Sequence, residues 1–287
     1  MLAKLRFGLL AVQLSLPKIG IGFMFAILTS NFNRITIYEL GVVAVLVTSM
    51  IGLYHFLSPF QVIFGRMADR HPVLGFRRSP YLLGGLTLSA VIFPFLPQIA
   101  VGMGAGSIVA VLLGFVLLVG FGLGLAMSGA AHLALIADRT GERSRGIVVA
   151  LVWTVQIASV IISASVMKRV MPHYDPALMQ QLYNLVIPVV LGSTLLALLG
   201  TERRLSVDEA RAVAATARET TPDGNVIAAP LALLRANRNA RDFFGFIIFS
   251  TLGVFLQDSV LEVFGAEQFG MSVKETTSFQ QIWGGGV

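Results

Sequence analysis

Cysteine is absent from the 287 residues, so neither a disulfide framework nor a thiolate metal site can form. Charge is scarce as well. Asp, Glu, Lys and Arg make up 13% of the chain, whereas 55% is hydrophobic and the mean hydropathy is +0.80; soluble domains carry roughly 25% charged residues. The few charges are confined to short segments between apolar blocks of about 20 residues, the pattern of a polytopic membrane protein rather than a soluble core. Enzyme signatures are missing too. There is no P-loop, no zinc-binding H-E-x-x-H and no nucleophile elbow, and the run holding Gly120, Gly122, Gly124 and Gly129 lacks the spacing and βαβ setting of a dinucleotide site. No residue is assigned a catalytic role, and the chain is read as not an enzyme. The net charge of +6 does not point to nucleic acid, because the arginines flank apolar blocks instead of forming one continuous face.

Apolar periodicity predicts spans at about 7–30, 41–64, 81–100, 107–137, 146–167, 182–200 and 243–264, with an eighth hydrophobic stretch beginning before Val287. The first block is too long for a signal peptide, carries Lys18 at its centre and has no small-x-small cleavage site. With the N-terminus in the cytoplasm, 16 of the 21 Lys and Arg fall on the cytoplasmic side, Lys18 lies within a span, and only Arg34, Lys168, Arg169 and Lys274 fall outside. The one long polar segment, Thr201 to Arg241, separates a six-span lobe (1–200) from an incomplete second lobe (242–287). Within this linker (201–241), Ser206-Val207-Asp208-Glu209 reads as a capping box opening a short helix. Six spans, a linker and a restarting span suggest a six-plus-six transporter plan that is truncated here.

Several polar residues stand out among the apolar blocks. A lysine at mid-span costs on the order of 2.5–3.5 kcal/mol, so Lys18 is expected to face the bundle interior, where a carboxylate or keto group of a bound cargo, or an internal acid, would suit it. His55 and His132 lie within the second and fourth spans. A neutral imidazole there could be an axial ligand to the magnesium of a bound macrocycle, although a lone histidine among apolar residues is more often a satisfied core residue. No other metal site is indicated. Asp258 and Glu262 are four apart and share a helical face, which suits proton coupling or the polar end of a ligand path, unless the seventh helix has already left the membrane. Gly120-x-x-x-Gly124 permits close helix packing or leaves room for a flat ring.

The segment Pro59–Tyr81 carries the most specific signal. Gly65-Arg66-Met67-Ala68-Asp69-Arg70 followed by Arg77-Arg78 resembles the G-x-x-x-D-R…R-R signature of the major facilitator superfamily, in which an Asp at a helix end can latch onto arginines. Gly65, Asp69, Arg70, Arg77 and Arg78 are the latch candidates. The inserted His71-Pro72-Val73-Leu74-Gly75-Phe76 gives D-R-H-P-x-L-G-F-R-R-S-P-Y, which resembles the hallmark of the PucC/LhaA family, the bacteriochlorophyll-delivery branch of that superfamily. Arg70 and Phe76 depart from the Thr and Trp common there. Asn33-Arg34 with Glu39-Leu40-Gly41, and Gln257-Asp258 with Leu261-Glu262 and Gly265, resemble two further motifs of the family. Asn33, Arg34 and Glu39 therefore join the candidates for pigment or substrate binding.

The resemblance implies an all-α membrane protein with a major-facilitator-type helical bundle in a photosynthetic or thylakoid membrane. It implies a factor that delivers chlorophyll or bacteriochlorophyll, or assembles light-harvesting antenna. Its partners would then be the lipid bilayer, antenna polypeptides, the pigment as cargo, and the pigment's synthesis enzymes. Two alternatives stay open, a proton-coupled transporter of a small solute and a scaffold that moves nothing. The orientation is directly testable, because a cysteine-free chain accepts single labelling sites. Cysteines placed by His71→Cys and Arg143→Cys should react with an impermeant maleimide from the cytoplasmic side only. Those placed by Ala105→Cys and His173→Cys should react only from the opposite side; any other pairing refutes the topology.

Overall fold

The computed structural model describes residues 2–220, 232 and 234–286. It is an all-α integral membrane protein. Among the described residues, six helices are long and apolar enough to cross a bilayer: span 1 (Leu5–Glu39), span 2 (Ala44–Arg70), span 3 (Ser79–Gly104), span 4 (Ile108–Arg139), span 5 (Glu142–Val170) and span 6 (Pro176–Leu198). A linker helix, Val207–Thr220, follows, and then a long helix, Arg238–Phe269, covering the stretch in which a seventh span is expected. Gly270, in the left-handed conformation at φ 62, ends that helix, and two short helices, Val273–Thr276 and Ser278–Gly286, complete the described chain.

Proline and polar residues shape the spans locally. Pro17 has no N–H and interrupts the hydrogen-bond ladder of span 1 between Leu2–Ser15 and Pro17–Ala26. Pro59 lies in the turn that divides span 2 into Ala44–Phe56 and Phe60–Arg70, and Pro94 and Pro97 accompany a 3₁₀ turn at Phe93–Phe95 in span 3. Span 1 runs well past the expected end at Ser30. From Ile27 it widens into two π-helical segments, Ile27–Phe32 and Ile35–Glu39. The polar run Ser30–Arg34 reads as a loop by composition, yet tertiary partners hold it as helix.

The packing follows a simple plan. Span 4 lies against spans 2 and 3, span 1 lies against spans 5 and 6, and span 6 also touches span 3 and so joins the two groups. Serines and threonines on buried faces mostly return their hydroxyls to the protein, as a bilayer offers no water to satisfy them, Thr36 being an exception. Ser89 donates to the carbonyl of Phe121 at 3.0 Å, and Ser159 to that of Ile19 at 2.7 Å. Large apolar side chains such as Val45, Phe56, Ile108 and Ile162 point outward, the face a lipid environment wants.

Spans 3 and 4 make the closest backbone approach. A methyl group added at Gly85 would lie 2.5 Å from the carbonyl oxygen of Gly124, and one at Gly124 would meet Ser89 Oγ and, at 2.6 Å, the carbonyl oxygen of Gly85. The glycine-rich run of span 4 therefore serves helix contact at Gly124. Gly129 differs, since a methyl there would stand 3.6 Å from the Gln61 side chain, an ordinary contact. Gly124→Ala should destabilise the fold by about 1–3 kcal/mol through overpacking. Gly129→Ala should be neutral or stabilising by up to about 1 kcal/mol, because alanine favours helix. Unfolding midpoints in detergent compare the two, and the opposite order would refute this packing.

Candidate functional site

The sequence-selected residues fall into three places. The first is the arginine-rich end. Asp69 Oδ1, at the last turn of span 2, accepts from Arg77 Nη2 at 2.9 Å and Arg78 Nη2 at 2.6 Å, while Arg78 Nε donates to Asp138 Oδ2 of span 4 at 3.1 Å. Arg78 is buried and its two carboxylate partners are half-exposed, so one guanidinium ties spans 2, 3 and 4 together. Sequence reasoning missed Glu202. Its carboxylate accepts from the backbone N–H groups of Arg77 (2.7 Å), Arg78 (2.9 Å) and Ser79 (2.7 Å), and from Ser79 Oγ at 2.6 Å. It thereby caps the start of span 3 from the segment after span 6, where a carboxylate also complements the helix dipole. The only available signal was an acid directly after a span. Gly65 packs loosely, its nearest foreign neighbour being Ala130 at 3.9 Å from a built methyl.

The second place is mid-span. Lys18 is half-buried with its Nζ 4.7 Å from the ring centre of Trp153 on span 5, so the cation is held by an aromatic face. His132 is buried on span 4, and its Nε2 is 2.7 Å from the carbonyl oxygen of Leu14. A carbonyl only accepts, so Nε2 carries the proton and only Nδ1 keeps a lone pair for a metal. His132 and Lys18 thus meet span 1 within about one turn of each other. His55 is exposed beside Tyr54, with ring centres 4.0 Å apart, on the outer side of span 2. The three do not converge on one centre.

The third place, at the end of the bundle opposite the arginines, is the most developed. The π-helical part of span 1 carries Ser30, Asn31, Asn33, Arg34 and Thr36, each at most 2% exposed. Arg34 Nη1 donates to Glu39 Oε1 at 2.8 Å, its Nη2 donates to the carbonyl of Met271 at 3.1 Å, and its guanidinium lies 5.0 Å from the Tyr38 ring centre. Ser30 Oγ donates to Glu262 Oε2 at 2.8 Å, and Gln280 Nε2 lies 3.4 Å from Glu262 Oε1. Glu262 is 2% exposed, so this carboxylate is inside the protein; the Asp258 side chain lies outside the described residues. Tyr183 of span 6, fully buried, donates to Asn31 Oδ1 at 3.2 Å. Polar contacts thereby join span 1 to span 6 and to the segment 262–280, beside the apolar packing of Val263 and Val273.

Chemically this end can hold a negative charge on Glu262 and a positive one on Arg34 away from water, and can exchange their partners if the segment 262–280 moves. Outside the spans, the Glu275 carboxyl is held below its usual range by the backbone N–H of Ser272 in a closed capping box. Burial, and then the nearby Glu39 and Asp175 carboxylates, raise the Tyr174 phenol. Ser30, Asn31, Tyr183 and Gln280 were not singled out from sequence. A polar run at a span end was visible, but its partners lie far along the chain. Glu262→Ala should cost about 1–3 kcal/mol by stranding the Ser30 and Gln280 donors. Glu262→Gln should restore most of that, since an amide oxygen still accepts from Ser30; equal midpoints for wild type and Glu262→Ala would refute the contact.

Comparison with known proteins places this geometry in context. The family model described as PUCC protein matches residues 31–287. A Rhodobacter capsulatus protein described as uncharacterized in the puhA-bchM intergenic region is 30% identical over 285 residues, covering 95% of this chain and 57% of its own length. The bacteriochlorophyll synthase 44.5 kDa chain of the same organism is 28% identical, covering 96% of this chain and 61% of itself. Protein PucC of Rhodovulum sulfidophilum is also 28% identical, with the same 96% and 61% coverage. The chain therefore spans about three-fifths of the length of these relatives. No solved structure matches it significantly. With its model matched over the polar end of span 1, all later spans and the segment that closes on Glu262, the chain belongs to the PUCC protein family.

Proposed function

We propose that this chain handles a chlorophyll-type pigment in a photosynthetic membrane, passing it to nascent light-harvesting antenna rather than transforming it chemically. Family membership and a relative named as a bacteriochlorophyll synthase chain support the pigment class. One structural observation carries the reading. A groove of about 350 Å³ lies between spans 1, 5 and 6, lined by Ile19, Phe23, Ile162, Leu185 and their apolar neighbours, with Ser159 and Ser163 as its only hydroxyls. Both hydroxyl hydrogens are already spent inside the protein, on the carbonyls of Ile19 (2.7 Å) and Ser159 (2.6 Å). The wall is therefore apolar in effect, and the outward-facing Ile162 puts it in contact with lipid. Such a groove suits a flat or branched hydrocarbon cargo entering from the bilayer and gives a small polar solute nothing to bind. Lys18, one residue before Ile19 in span 1, is a charged candidate for a polar substituent of that cargo.

A proton-coupled transporter finds its own support in buried Glu262, which sits at the opposite end with Ser30 and Gln280 among its partners. The experiment separating these readings is purification from a pigmented host in mild detergent, followed by an absorption spectrum. Pigment should co-purify, and Ser163→Phe, which fills the groove, should lower the pigment-to-protein ratio roughly tenfold, equivalent to about 1.4 kcal/mol. Repeatedly colourless protein would overturn the proposal. If Lys18→Ala with His55→Ala leaves both pigment and antenna assembly intact, neither residue is a ligand.

A further inference from the structure

At the arginine-rich end, a cavity of about 520 Å³ lies between the span 2–3 loop and the start of the linker helix. Arg70 and His71 line one wall, Arg204 and Arg211 the other, and no acid is among the lining residues. Of the nearby carboxylates, Asp69 is engaged with Arg77 and Arg78, Glu202 with the backbone at the start of span 3, and Glu209 with Arg203 and Ser206, while Asp208 reaches Arg211 only at 3.9 Å in an exposed pair that a phosphate would have to displace. The linker helix start is already capped by Ser206 and Glu209, so the charge preference of the cavity comes from its arginines and not from a free helix end.

The two walls are held in register. Leu205 donates its N–H to the Gly75 carbonyl at 2.8 Å, and Arg204 Nε donates to the Leu74 carbonyl at 3.1 Å, which leaves the terminal nitrogens of that guanidinium for another acceptor. A methyl added at Gly75 would stand 2.8 Å from the Leu205 carbonyl oxygen, so only glycine lets the loop lie this close. Leu74 adopts φ 55, a conformation unusual for a residue with a side chain, and is 77% exposed; Val207 is 67% exposed. Strain of this kind concentrates at binding sites. The cavity thus sets convergent guanidinium groups beside outward apolar side chains at the end of the spans, where lipid headgroups lie.

We infer that this cavity binds a phosphate-bearing anion, with Arg204 and Arg211 as its principal contacts. Guanidinium forks match phosphate oxygens in pairs, and Leu74 and Val207 suit the hydrocarbon of an anionic phospholipid carried beside it. A bound phosphate would bridge the span 2–3 loop to the linker helix, so it would also set how that linker leaves the bundle.

The test uses the full chain in nanodiscs of phosphatidylcholine with or without phosphatidylglycerol, and in detergent with inorganic phosphate, read by native mass spectrometry and by phosphate-dependent change in unfolding midpoint. Phosphatidylglycerol should be retained over phosphatidylcholine, and Arg204→Ala with Arg211→Ala should weaken retention roughly tenfold. Arg143→Ala with Arg218→Ala removes the same charge outside the cavity and should leave retention unchanged. A midpoint raised by millimolar phosphate, and lost in the Arg204/Arg211 variant, would support the same site with free phosphate as the source. Equal retention of both lipids with no phosphate response, or equal loss in the two double variants, would overturn the inference.

Discussion

The bilayer supplies no hydrogen-bonding partner, and this constraint bears hardest on span 1. Its polar run from Ser30 to Thr36 is buried, so a donor or acceptor left unanswered there is costly. Glu262 answers Ser30, Met271 answers Arg34 and Tyr183 answers Asn31, while Asn31 Nδ2, Arg34 Nε and Thr36 Oγ1 meet no acceptor or donor among the described residues. The widening of the helix into π geometry at this point is consistent with that demand, since π segments re-aim side chains and occur mostly at functional sites. The position of the long helix Arg238–Phe269 against span 1 thus follows from polar satisfaction as much as from apolar contact.

The arginine-rich end obeys the same rule with different membership. Arg78, Asp69 and Asp138 join spans 2, 3 and 4, and Glu202 brings the segment after span 6 onto the start of span 3. All of these ties lie inside the six-span bundle. A latch role for Asp69 would therefore act among spans 2, 3 and 4, where truncating a partner of the nearly buried Arg78 leaves a charge poorly compensated. Arg203 with Glu209, and Arg211 with Asp208 at 3.9 Å, are exposed, solvent-screened pairs that add little to stability.

Much of the fold was legible in the sequence because hydropathy reports burial in lipid directly. Blocks of about 20 apolar residues cannot be hidden in any other way, and the arginines mark the loops by the same physics. The D-R-H-P-x-L-G-F-R-R segment named the family because a Gly-permitted loop, a helix-ending Asp and a paired arginine occur there in one compact stretch. The site was less legible. Helical spacing shows that Lys18 faces a given direction, not that Trp153 of span 5 lies there, and it cannot show that Pro17 leaves span 1 interrupted near the Leu14 carbonyl to which His132 donates. Span 1 was expected to stop at Ser30 because a polar run looks like a loop until its distant partners are known. Glu202 escaped notice for the same reason, since its role lies in three backbone N–H groups and not in any side-chain pattern.

The two ends differ in what a movement would have to break. Sliding the segment 262–286 away from the bundle costs the Ser30–Glu262 and Arg34–Met271 contacts, along with those of Gln281 to Ser165 and Lys168 on span 5, and it leaves the Asp69–Arg78–Asp138 ties untouched. Losing the first two strands the buried Ser30, Glu262 and Arg34 at roughly 1–3 kcal/mol each, so opening at that end is costly unless water or a cargo group replaces the partners. The apolar groove between spans 1, 5 and 6 shares span 5 with that closure, through Ser163 on one side and Ser165 on the other. A cargo seated in the groove would press on the same helix that Gln281 grips, which couples cargo occupancy to the closed end through a single rigid element rather than through a chain of loops.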